Sequence, residues 1–540
     1  MRTGPQKGRS ARAPRRLLTL MAPLAAIVIA ASGCAFIKQV SSPTGAIPAN
    51  LTPQLSGAVG TAAASADGRF VAYAAGTDTS APGAVSEVYV LDTQTGARTM
   101  VSVNNQGQPG DQFAGDPAIS GNGRYVAFDS FSDNLVPNDT NDAGDVFVRD
   151  TQTNTTTRIS LTSAGTEVTD DSYNPSISDD GRYVIFTSDS DDLSPLDGNV
   201  SSDIYLHDNQ TGATTLMSTY GDGTPTDSGA WSGEISADGS TVVFDTDTGI
   251  NIANDENGSD DVYTRPRTSR SFTWVSRPVG GNTDGEGGGG DDPSISADGR
   301  FVAFDSNADD LDLLPDTTGF VNVYVRDRTA LTTTRVSVTP TGGVIDANSF
   351  GPAISRDGSR IAYLSSGNPT GTDTNGSLND LLVRDMTLGK TYLVSTDMLG
   401  NQLPVASADA AISGDGKYGF WSTLGQFDTT TDTNNLIDIY DRAVDLPHIT
   451  SAAPANATPG QTVTVTITGS AFATNATVAD PTGWATLGTV TRVSDTKMTA
   501  VLTIDANAPS GGHQLQVDNP GTGPGLQGGA LALCTCINTP

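Results

Sequence analysis

The chain has 540 residues, with 29 Lys and Arg against 61 Asp and Glu, a net charge of −32 and 36% hydrophobic residues. That length holds several domains, or one large repeat body with an appendage. So acidic a surface excludes nucleic acid and anionic lipid as natural partners and attracts cations or basic ones.

Residues 1–33 differ in composition from the rest. Arg2, Lys7, Arg9, Arg12, Arg15 and Arg16 precede an apolar run from Leu17 to Ala31 that contains no acidic residue. The pattern is that of a secretory signal, with an apolar core too short for a membrane span. It ends Ala31-Ser32-Gly33-Cys34, which resembles the lipobox of bacterial lipoproteins. The resemblance implies cleavage before Cys34, a lipid on that cysteine and anchorage to the bacterial cell membrane on its extracytoplasmic side. Cleavage removes six positive charges and takes the mature chain from −32 to about −38. The two remaining cysteines, Cys534 and Cys536, read as a disulfide in an oxidising compartment, since a lone Cys-x-Cys pair does not complete a zinc site.

Residues 34–60 carry Pro43, Gly45, Pro48 and Pro53 and read as a tether, with Phe36–Val40 as a short strand inside it. From 61 to 445 one phrase returns seven times. Its Asp-Gly or Asn-Gly step falls at Asp67, Asn122, Asp180, Asp238, Asp298, Asp357 and Asp415, at intervals of 55 to 60 residues. A serine stands two places before each step, and an aromatic residue five places after each glycine, from Tyr73 to Trp421. A fixed period of this length means stacked units that cannot bury their apolar faces alone.

Each unit reads as four short antiparallel strands. Asp-Gly makes a tight hairpin between the first two, and a Thr-rich turn joins the last two. A run such as Tyr183-Val184-Ile185-Phe186 is apolar throughout, as expected where both faces of a sheet are covered by neighbours. The expected fold is therefore all-β, a seven-bladed β-propeller. The phrase Ile-Ser-x-Asp-Gly-Arg-x-Val-Ala-Phe followed by Asp-Val-Phe-Val-Arg-Asp resembles the WD40-like repeat of TolB-type propellers. TolB itself has six blades and a separate N-terminal domain, so its partners are not carried over. The seventh unit lacks a fourth strand before Leu446-Pro447, and a segment between Phe36 and Leu51 is expected to pair with Ile439-Tyr440 and close the ring.

Residues 446–540 leave the period. Thr462 to Thr468 alternates strictly, as do Met498–Ile504 and His513–Val517, which predicts a small immunoglobulin-like β-sandwich. The order of Pro459-Gly460, the strand and Gly469-Ser470-Ala471-Phe472 resembles IPT/TIG-type domains.

The long connections of an antiparallel blade emerge on one side and the tight turns on the other, so function is expected on the long-loop side. There the loops before the third strands repeat a pattern: Asp139, Asn141 and Asp145; Asp255, Asn257 and Asp261; Asp373, Asn375 and Asp380. Short oxygen ligands at this spacing resemble part of a calcium loop, while the full twelve-residue pattern is absent. The structural alternative is an Asx-type turn, with the last Asp anchoring its strand to a neighbouring blade. Three histidines, His207, His448 and His513, fall at unrelated places, and no Gly-x-Ser-x-Gly elbow occurs. The expectation is a non-catalytic lipoprotein without cofactor, whose acidic loop face binds a protein or cell-envelope polymer. The competing expectation is a carbohydrate-active hydrolase or lyase with a carboxylate pair in the central channel.

Overall fold

The structure, a computed structural model, describes Lys38–Gln39, most of 62–444 and most of 448–539; the longest internal stretches outside it are 77–85, 251–259, 280–288, 424–437 and 520–529. Residues 1–33, read as a signal, and Cys34 and Cys534 lie outside the described residues. Among those described there is no helix.

Seven four-stranded antiparallel sheets follow one another. The second is typical: Ala114–Ile119, Tyr125–Ser130, Asp145–Asp150 and Thr155–Arg158, paired in chain order. The sheets are numbered one to seven below, with strands one to four counted in that order. First strands of successive sheets pack on each other, and that of sheet seven, Ser407–Ile412, packs on that of sheet one, Ala63–Ala64. Each boundary has its own apolar core. That between sheets seven and one gathers Val71, Tyr73, Leu91, Phe420 and Ile439. This cyclic order makes the body a propeller.

The repeated phrase builds the inner hairpins. In sheet three Ser178 Oγ donates to Asp180 Oδ1 (2.7 Å) and accepts from Tyr183 N (3.0 Å), while Arg182 N donates to Asp180 Oδ1 (3.0 Å). Gly181 sits at φ 71°, open to glycine without strain, and a Cβ there would lie 2.2 Å from the Tyr125 ring of sheet two. The aromatic after each glycine is buried against its partner on strand three: Phe128 on Phe147, Phe186 on Tyr205, Phe304 on Tyr324, with ring centroids 5.8 to 6.0 Å apart.

Between serine and aspartate the chain makes a closed circuit. Ala66 N donates to Gly121 O, Gly121 N to Asp179 Oδ1, Asp179 N to Ala237 O and Asp238 N to Ala297 O. Ala297 N then donates to Arg356 O, Arg356 N to Gly414 O, and Gly414 N to Ser65 O at 3.4 Å. Five of the seven residues at this position are Ala or Gly. The other two, Asp179 and Arg356, form an ion pair from sheet three to sheet six, with Arg356 Nη1 2.6 Å from Asp179 Oδ1.

Sheet seven is completed from the other end of the chain. Lys38 stands opposite Asp441 and Gln39 opposite Tyr440 in antiparallel register, so the segment upstream of sheet one supplies the fourth strand. His448–Ala453 pairs instead with Thr462–Ser470 in the following domain. There Lys497–Ile504 and Ala485–Ser494 complete a sheet over a core of Val465, Ile467, Phe472, Met498, Leu502 and Val517.

Deletion of residues 35–50 should leave Asp438–Ala443 as an open edge and lower the thermal midpoint by a few degrees. An unchanged midpoint in calorimetry would show that the strand does not hold the ring closed.

Candidate functional site

Aspartate dominates the propeller, and its position decides what it does. On the tight-turn side four of the seven steps are followed by an Arg that forks onto the Asp ending strand three: Arg69 on Asp92, Arg124 on Asp150, Arg182 on Asp208 and Arg300 on Asp327, at 2.6 to 2.9 Å from Nη2. The same aspartates accept from the backbone of the following turn, for example Gln94 N at 2.9 Å from Asp92 Oδ1. The guanidinium holds Asp92 and Asp327 down to about 2 and also lowers Asp150 and Asp208. These residues are turn and strand anchors.

At the other end of strand three lie the predicted calcium loops. Asp145 accepts from Ser160 Oγ and Asp203 from Ser218 Oγ, while Asp380 accepts from Ser395 Oγ at 2.8 Å. Each serine lies two residues beyond the end of strand four of the same sheet, so the expected tie to a neighbouring blade is corrected. The acid holds the outer strand of its own sheet, where a buried hydroxyl needs an acceptor. Asn141 donates to Asp145 Oδ2 at 3.2 Å, and Arg158 brings a cation against Asp139 (2.8 Å), Asp145 (2.9 Å) and Glu167 (2.8 Å). In sheet two a guanidinium thus stands where the loop reading places an ion. Arg335 does the same in sheet five, toward Asp312 and Asp316. In sheet four, Trp274 Nε1 donates to Asp261 Oδ1 at 2.9 Å; in sheet six, Asn375 and Gln402 donate to Asp380. Asp255, Asn257 and Asp373 lie outside the described residues, as does Cys534, the partner proposed for Cys536.

A different set of acids, not singled out from sequence, surrounds the channel. Every described first strand from sheet two onward has a bulge whose residue takes positive φ: Asp116 (38°), Asn174 (51°), Ser232 (46°), Asp292 (47°), Gly351 (61°) and Asp409 (52°). Asp116 and Asp409 occupy the same bulge position in sheets two and seven, and the Asp116 charge adds to the burial that raises Asp409. Burial pushes Asp116 up, and burial with the Asp116 charge pushes Asp129 up. Glu234, half-buried on strand one of sheet four, accepts from Ile295 N of sheet five (3.0 Å) and is raised by burial to about 7. The sequence signal for this ring was the residue four places before each repeated serine, which the period makes easy to align.

The long loops also carry exposed apolar side chains. Phe113 and Phe131 flank the first two strands of sheet two with ring centroids 6.5 Å apart, and Leu196, Val200, Val279 and Leu313 stand on the same side. On the tight-turn side the exposed large apolar residues of the propeller are Leu331 and Leu388, among the described residues. His207 is buried with Nδ1 3.0 Å from Thr214 Oγ1.

The class these features define is an all-β protein, a propeller of four-stranded sheets followed by an immunoglobulin-like domain. Residues 447–532 match the model of the IPT/TIG domain and form such a domain. No curated protein matches the chain. Solved structures similar to it include a TolB-type protein from Agrobacterium tumefaciens, at 16% identity, covering 66% of this chain and 97% of that one, with a TM-score of 0.36. Another is the extracellular domain of a hybrid two-component system from B. thetaiotaomicron, at 8% identity, covering 94% of this chain and 59% of that one, with a TM-score of 0.36.

Two tests follow from the acids. Glu87, Asp139, Asp203 and Glu234 are each raised to about 7 by burial, above the unfolded value of roughly 4. The native state therefore binds more protons than the unfolded chain between those values, and stability should rise as pH falls from about 8 to about 5. Below about pH 4 the Arg-paired Asp92 and Asp327 lose their contribution, so the melting temperature should peak near pH 5 to 6. A midpoint higher at pH 8 than at pH 6 would contradict this. Secondly, Arg158→Met removes the cation from three carboxylates and should destabilise by about 3–5 kcal/mol at neutral pH, with part of the loss recovered near pH 5. Denaturant titration at both values distinguishes this from simple loss of packing, which pH does not restore.

Proposed function

We propose that the protein is a non-catalytic, extracytoplasmic binding lipoprotein, held to the membrane through Cys34, whose propeller engages a protein partner through its long-loop face. The observation that carries this reading is the asymmetry of exposed apolar residues. Phe113, Phe131, Leu196, Val200, Val279 and Leu313 stand on one side, among carboxylates. Aromatic and aliphatic anchors inside a polar, charged rim are the composition of a protein-recognition surface. The charge of the rim favours a basic partner and faster association at low salt. The following IPT/TIG domain serves as a spacer or a second contact.

For the carbohydrate-hydrolase reading the candidate acids are Asp116 and Asp409, at equivalent bulges of sheets two and seven. Burial pushes both in the same direction. A glycosidase needs one carboxyl held protonated and its partner held ionised, so this pair fits the role poorly.

The reading predicts that Phe113→Ser with Phe131→Ser abolishes capture of the cognate envelope partner by the immobilised protein. Leu331→Ser with Leu388→Ser, on the opposite side, should leave capture intact. Equal capture by both variants would move the binding face elsewhere. Cys34→Ala should shift the protein from the membrane fraction to the soluble fraction, and unchanged detergent partitioning would remove the lipid anchor.

A further inference from the structure

At the boundary between sheets four and five, three acids from three separate elements converge. Asp245 is on strand two of sheet four, Thr241–Thr246; Asp260 immediately precedes strand three, Asp261–Pro266; and Asp291 opens strand one of sheet five, Asp291–Ile295. A carboxylate oxygen from each lies within 4.8 Å of the other two. Their approach is built into the backbone. Gly290 N donates to Asp260 O at 2.8 Å, and a Cβ on Gly289 would fall 1.4 Å from that carbonyl oxygen, so only glycine lets the two segments meet.

Asp245 supplies the second observation. It is 3% exposed, and its Oδ1 has no hydrogen-bond partner among the described residues. Buried carboxylates are ordinarily satisfied by donors or paired with a cation. The charges acting on Asp245 are Asp291, Asp292 and Asp260, all negative, and together with burial they raise its pKa well above the ordinary value. Elsewhere in the propeller a buried acid cluster receives an arginine, as Arg158 and Arg335 show.

The repeat makes the coincidence specific. At the preceding boundary the three positions hold Thr187, Ser202 and Trp231, and at the following one Asp305, Val321 and Phe350. All three become carboxylates only between sheets four and five among these.

We propose that Asp245, Asp260 and Asp291 bind a divalent cation of the calcium class at the boundary of sheets four and five. Calcium takes six to eight oxygen ligands at about 2.3–2.6 Å, so ligand pairs up to about 5 Å apart can share one ion. Three carboxylates contribute the charge, and water completes the shell at the channel rim. The ion would tie the loop before strand three of sheet four to the entry of sheet five.

Calcium binding to the purified chain by isothermal titration calorimetry, with melting curves in EDTA and in calcium, tests the assignment. One saturable site is expected, with a melting temperature a few degrees higher at a hundredfold excess over Kd. Asp245→Asn and Asp291→Asn should each weaken binding at least tenfold and remove the calcium-dependent shift. Asp139→Asn, in the Arg158 cluster, should keep it. In EDTA, Asp245→Asn should melt no lower than the unsubstituted protein, because it relieves repulsion between acids; this separates loss of a ligand from loss of fold. Absence of saturable binding, or undiminished affinity in both Asp245→Asn and Asp291→Asn, would overturn the proposal.

Discussion

The circuit of hydrogen bonds through the inner hairpins is the constraint on which the rest of the propeller depends. Each hairpin is made rigid locally, by a serine that donates to the aspartate and accepts from a backbone N–H five residues on, as Ser178 does. The same hairpin then spends a backbone N–H on the next sheet, as Ala297 N does on Arg356 O at 2.9 Å. Because each link joins consecutive sheets, and Gly414 returns to Ser65, no sheet can shift radially without breaking two links. The apolar boundary cores depend on that placement. Tyr73, Phe186, Phe304 and Trp421 are each about 1% exposed or less, which single sheets could not achieve.

Much of this was legible in the sequence because its causes are local and repeated. Ser178, Asp180, Gly181 and Phe186 each have one task set by hydrogen-bond geometry or φ, and the period displays it seven times. The strand that completes sheet seven was legible by subtraction, since Asp438–Ala443 lacked a following partner. The channel acids were not. Asp116, Asp292 and Asp409 sit at a bulge, and a bulge shifts which face a side chain takes without leaving a compositional mark. Nor could spacing show that Arg158 reaches Asp139 from strand four, because guanidinium reach depends on the curvature of the sheet.

Charge is managed differently on the two sides of the propeller. On the tight-turn side each strand-ending aspartate meets the arginine of its own repeat, so attraction and turn geometry reinforce each other. Toward the long loops, carboxylates gather faster than arginines are supplied, and Glu87 and Asp203 remain raised to about 7. Phe113 and Phe131 stand exposed on that same side.

The pairing of Arg356 with Asp179 has a consequence for traffic. It runs from sheet six to sheet three at the level of the hairpin circuit, past Gly121 and Gly414, where any Cβ would collide with it. The pair bridges the axial space between sheets six and three at that end. What enters from the rim meets a charged bar there. A long polymer could be held at such a mouth by an end or a bent segment, and a folded partner could seat a single projecting side chain in it.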